Sequence, residues 1–143
     1  MPDIEYDNFL KITLFKLDQG FRKLEADERE SGKKELSELV TELSSDQDIR
    51  SYSTVGTRPD SDLMLIQDSP SVDTFHETSK RINKTLMGKY LDQPYSYLSI
   101  RRKSRYKHGG GAPKLKEDYK YMVIYPMTKS RPWYEKTMQE RQQ

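Results

Sequence analysis

Between Asn8 and Leu17 the side chains alternate, Leu10, Ile12 and Leu14 falling to one side and Phe9 and Phe15 to the other. A period of two over ten residues predicts a strand. The period then changes. In "ADERESGKKELSELVTELSS" Leu36, Leu39, Val40 and Leu43 recur at helical spacing, behind acids in the first turn and an Asp27/Glu30 pair at capping-box spacing; a helix over 26–43 follows. Gly32 weakens it by about 1 kcal/mol relative to alanine. "DIRSYSTVGTRPDSDLMLIQ" holds two short β-rich runs around Gly-Thr-Arg-Pro-Asp-Ser, which predicts a hairpin with a long connection. Ser69 and Pro70 suit an N-cap and a first helical position. Phe75, Ser79, Ile82 and Leu86 share a helical face and Gly88 is a candidate stop, so a second helix is expected over 71–87. "PYSYLSIRR" alternates again and reads as a fourth strand.

The order strand, helix, strand, strand, helix, strand is that of an α+β, ferredoxin-like domain: an antiparallel sheet with both helices on one face. Beyond it, "KHGGGAPKLKED" leads to "YKYMVIYPM", a fifth strand ending at Tyr125, and "PWYEKTMQERQQ" begins what reads as another helix. These residues either extend the first domain or open a second of the same kind.

Composition narrows the function classes. The 143 residues suit one domain of ordinary size. With 33% hydrophobic and 34% charged residues and a mean hydropathy of -1.00, the core must come from a few well-patterned elements. A net charge of +2 is too balanced to draw the whole molecule to nucleic acid or a membrane surface. There is no cysteine, hence no disulfide or thiolate metal site, and nothing argues for secretion. The start, "MPDIEYDNFL", is acidic and lacks an apolar core, and no run reaches the roughly 20 apolar residues of a membrane span. A cytoplasmic protein is the expectation.

Familiar catalytic signatures are missing: no phosphate-binding loop follows a strand, and neither a nucleophile elbow nor a His-Glu-x-x-His pair occurs. Gly109, Gly110 and Gly111 read as flexible linker. Arg101, Arg102, Lys103, Arg105 and Lys107 form a dense basic cluster, either a solvated strand end or a platform for an anionic ligand. Of the two histidines, His76 reads as a surface or structural residue, and His108 sits in the basic loop, where a neutral imidazole could act as a base. "YPMTKSRPWY" stands apart. With Tyr121, Val123 and Tyr125 on one face, Tyr125 would close the strand with its phenol at the sheet rim, Lys129 would fold back toward that rim, and Trp133 with Tyr134 would make an aromatic wall. That is either an aromatic sheet edge or a pocket for a large, flat, polyanionic ligand beside an oxidisable tyrosine.

Three stretches in order, "RSYSTVGTRPDSDLMLIQDSPS", "NKTLMGKYLDQPYSYLSIRRKSRY" and "YPMTKSRPWY", resemble the N-terminal portion of the chlorite dismutase-like haem proteins, the family that includes coproheme decarboxylases. The resemblance implies two ferredoxin-like repeats per subunit in a dimeric α+β barrel, with subunits assembled as a homopentamer. Residues 8–105 would be the N-terminal domain, 106–118 the basic Gly-rich loop, and 119–143 the start of the haem-binding repeat. It further implies an oxidoreductase that converts iron coproporphyrin to haem b by peroxide-dependent decarboxylation, with iron porphyrin and hydrogen peroxide as its partners. Tyr125 would carry the radical and His108 would be a distal base. Lys129, Met127, Trp133, Arg105 and Tyr106 would contact the substrate. The family's iron ligand, a histidine of the second repeat, is expected outside this segment, since neither His76 nor His108 matches it. A chlorite dismutase or haem peroxidase, and a non-catalytic ferredoxin-like association module, remain as alternatives.

Overall fold

The computed structural model describes residues 6–102 and 120–141. Tyr6–Arg101 forms one compact unit, and the later residues belong to another. The first unit holds four strands, β1 (Tyr6–Leu17), β2 (Asp48–Ser53), β3 (Leu63–Ser69) and β4 (Leu91–Arg102), ordered β2-β3-β1-β4. β3 runs antiparallel to both β1 and β2, with Thr13 opposite Leu65, Leu14 opposite Met64 and Ile49 opposite Gln67. Three helices complete it: α1 (Gln19–Lys23), α2 (Ala26–Leu43) and α3 (Val72–Lys84). The order of strands and long helices is ferredoxin-like α+β, as predicted.

The apolar stripe of α2 does what its spacing implies. Leu36, Leu39 and Leu43 bury against Phe15, Ile49 and Leu65 of the sheet and Ile82 of α3. Leu14, Met64 and Ile66 point to the opposite face yet are also buried, so β3 is covered on both sides. Its near-continuous apolar run fits that position. A buried polar chain joins the layers: Gln67 Nε2 donates to Gln47 Oε1 at 3.0 Å, and Gln47 Nε2 donates to Thr78 Oγ1 of α3 at 2.8 Å.

Several boundaries differ from expectation. The capping pair of α2 is Glu25 with Glu28, the Glu25 N–H donating to Glu28 Oε2 at 3.4 Å, while Glu30 instead accepts from Lys33 at 2.8 Å. The N-cap of α3 is Ser71, whose hydroxyl accepts the Asp73 N–H at 3.2 Å; Ser69 lies outside and donates to Thr74 Oγ1. α3 stops at Lys84 and the chain enters a 3-10 turn over Met87–Tyr90. Gly88 sits buried inside that turn, where an added Cβ would lie 1.8 Å from the Ile82 carbonyl oxygen. It is a close-approach glycine rather than a helix stop. Gly32 has a similar reason: an added Cβ would come within 3.2 Å of Phe21, whose ring meets Tyr90 edge-on at 5.7 Å.

The fifth strand is the main difference. Residues 121–130 take no regular secondary structure, and among the described residues the sheet contains β1–β4 only. A strand is stabilised by pairing on a neighbour and packing on a face, and alternation in "YKYMVIYPM" supplies only the second requirement. The expected final helix is also shorter: α4 covers Arg131–Glu135 and breaks at Lys136, whose ψ of 146 is extended.

Candidate functional site

Residues 120–141 carry most of the predicted chemistry. Ser130 precedes α4 with extended backbone, Pro132 lies in its first turn, and the Trp133 N–H donates to the Ser130 carbonyl at 3.0 Å. Proline suits that position because it has no N–H to leave unpaired and its φ is already helical. Past the break at Lys136 the chain makes one more turn. Glu140 Oε2 accepts both the N–H and the hydroxyl of Thr137, each at 2.7 Å, which holds its carboxyl below the usual glutamate value, and the Arg141 N–H closes onto the Thr137 carbonyl at 3.1 Å.

These two turns assemble a cluster around Trp133. The Lys129 ammonium lies 5.0 Å from its ring centroid and the Arg141 guanidinium 4.8 Å, both within cation–π range. Tyr134 stands perpendicular to the indole at 5.2 Å, and its carbonyl accepts from Arg141 Nη2. Trp133 is half-buried. Tyr125 and Met127, by contrast, are 70% and 65% exposed.

The structure therefore joins two of the predicted residues, Lys129 and Trp133, and moves a third. Tyr125 does not close a strand at a sheet rim; it lies in an irregular stretch with its ring open to solvent, because that stretch pairs with no strand among the described residues. His108, Arg105 and Tyr106 lie outside the described residues. Arg101 is withdrawn from the basic cluster: it pairs with Asp68, a buried residue of β3 whose other oxygen accepts from Asn8 Nδ2 at 2.5 Å. His76 is exposed on α3. Among the described residues no group of three or more His, Cys, Asp or Glu side chains is placed to hold a metal ion, and no helix is long and apolar enough to cross a membrane. Arg141 was missed. Its spacing from Trp133 suggests only another helical position, and the break at Lys136 brings it back over the indole.

A second polar cluster lies in the first unit. Arg58 grips Asp60 through Nε and Nη2 at 2.8 and 2.7 Å, and the Tyr95 hydroxyl donates to Asp60 Oδ2 at 2.8 Å. Arg58, then Tyr95, hold the Asp60 carboxyl down at about 2. The same bond pushes the Tyr95 phenol up, since the neutral phenol is the donor. This cluster ties the β2–β3 loop to β4 and is structural.

Comparison with known proteins decides the family. The family model described as chlorite dismutase matches residues 29–143. The chain belongs to the chlorite dismutase family. Solved structures agree on the fold. A mutant chlorite dismutase from Candidatus Nitrospira defluvii superposes with a TM-score of 0.77 at 17% identity, over 96% of this chain and 61% of that one. A second mutant of that enzyme, in complex with cyanide, gives 0.67 at 19% identity, over 72% of this chain and 43% of that one. A haem-binding protein from Thermus thermophilus gives 0.59 at 22% identity, over 68% and 41%. The chain thus spans less than two thirds of these relatives.

Proposed function

We propose that this chain is part of a haem-family oxidoreductase that decarboxylates iron coproporphyrin to haem b with hydrogen peroxide. Residues 8–105 are read as its N-terminal ferredoxin-like domain, 106–118 as a basic loop, and 119–143 as the start of the haem-binding repeat. The subunits are read as a cytoplasmic ring of five. The observation that carries the reading is the Lys129 ammonium over Trp133, in the same stretch as the exposed Tyr125 and Met127. A flat aromatic, a cation and an oxidisable phenol are the parts needed to seat a planar carboxylated ring and act on its side chain. They fit an iron porphyrin's edge, and its axial ligand has no candidate among these residues.

When bound, the iron porphyrin and peroxide supply the oxidising equivalents. Tyr125, having lost its phenolic hydrogen atom, takes one from the propionate carbon next to the macrocycle and recovers its O–H. The carbon left behind loses one further electron, the carboxylate departs as carbon dioxide, and a vinyl group remains. One peroxide accepts both electrons and leaves as two waters. Lys129 holds the carboxylate as a point charge, Trp133 supplies a wall that excludes water, and His108 is read as the base that moves the peroxide proton.

The test is to add coproheme to the chain within its complete subunit, follow the Soret band, then add peroxide and weigh the porphyrin. Loss of propionates to vinyl groups supports the reading. Oxygen release from chlorite without loss of propionates would replace it with chlorite dismutation, and absence of porphyrin binding with a non-catalytic association module.

A further inference from the structure

We propose that Arg141 is a second carboxylate-binding residue of the Trp133 site, which therefore takes a flat ligand bearing at least two acidic groups. The inference deepens the porphyrin reading above and rests on it for the ligand's identity, though not for its charge.

Two cations share one indole. Lys129 Nζ stands 5.0 Å and the Arg141 guanidinium 4.8 Å from the Trp133 ring, and like charges gathered on one ring repel unless an anion comes between or beside them. The acids in the segment do not supply it: Glu140 is taken by Thr137, and no ion pair to Lys129 or Arg141 forms among the described residues. Arg141 is also incompletely satisfied. Its Nη2 donates to the Tyr134 carbonyl, while its Nε is shut away from water with no acceptor. A buried N–H without an acceptor is costly, and a charged donor more so. A carboxylate that meets the guanidinium from solvent neutralises the charge this shut-away N–H shares, and the planar guanidinium is built to receive it in a fixed direction. Lys129 then takes a second carboxylate as a point charge. Such an arrangement rejects metal cations and neutral aromatics, and it favours ligands with several acidic arms over those with one.

The test uses the full chain, in which Trp133 is the single tryptophan, so tryptophan emission reports this site alone. Two probes are titrated: iron-free coproporphyrin, with four carboxylates, and mellitate, a flat polycarboxylate without a macrocycle. Wild type is expected to quench with both. R141Q should bind each roughly tenfold more weakly, the loss of one charge-assisted hydrogen bond, and R141K should recover part of it by restoring the charge. If R141Q alters the ligand-free emission, R141K and K129Q carry the comparison: each should weaken mellitate binding without changing that emission. Wild-type affinity in the Arg141 variants would overturn the proposal and leave Arg141 as a staple of the final turn. Mellitate binding that depends on Arg141, with no coproporphyrin binding, would keep the two-cation site and remove the porphyrin as the ligand this chain takes by itself. Failure of wild type to bind either probe would overturn the two-cation site, while the porphyrin reading is decided separately by the coproheme test on the complete subunit.

Discussion

Tyr125 separates chemistry from packing cleanly. Its ring is 70% exposed, so removing the hydroxyl in Tyr125→Phe should change stability by less than about 0.5 kcal/mol. Under the radical mechanism turnover should vanish while coproheme still binds; retained decarboxylation in that variant would end the mechanism. Lys129→Ala should instead weaken coproheme binding, because it removes a charge and no redox chemistry. At Asp60 the residue-level question is acid stability. Its folded value of about 2 lies below the ordinary 3.8, so the carboxylate stabilises the fold above pH 3.8, and that contribution disappears as pH falls toward 2. Thermal melts of wild type and Asp60→Asn should therefore differ at pH 7 and converge at pH 2. A constant difference across that range would mean that the charge of Asp60 contributes nothing.

The same elements show how far local pattern reaches. α2 was legible to its ends, Ala26 and Leu43, because its stripe of Leu36, Leu39 and Leu43 meets a sheet and its acids face its N-terminus. The end of α3 was not. Periodicity carries Leu86 on the helical face, but the Thr85 hydroxyl donates to the Ile82 carbonyl at 2.8 Å and accepts the Gly88 N–H at 2.9 Å, turning the chain into β4 early. Gly88→Ala tests this turn. Its methyl would have to displace the Ile82 carbonyl, at a cost of about 3 kcal/mol, the upper end of ordinary substitutions. A denaturant midpoint unchanged from wild type would show that the turn is soft.

For the molecule, the core cluster from Phe15 to Ile82 lies entirely inside the compact unit Tyr6–Arg101. A chain ending after Arg102 should keep its helical and strand circular dichroism and unfold in one cooperative step, because it loses none of those contacts. It should also lose all porphyrin binding attributed to Trp133. A broad, non-cooperative melt would show instead that the later residues hold up the sheet.

The α+β order and the helix faces could be read from the sequence because each depends on spacing along one segment, where side-chain direction follows from a period of two or of 3.6 residues. Three matters needed the tertiary structure. Arg101 reads as one of five basic residues until β3 brings Asp68 against it; Tyr125 reads as a strand end until pairing is required of it; Arg141 reads as one more helical position until the chain folds back on Trp133. Each depends on a partner distant in sequence or on a turn the local pattern does not encode, and periodicity carries no information about which partner that will be.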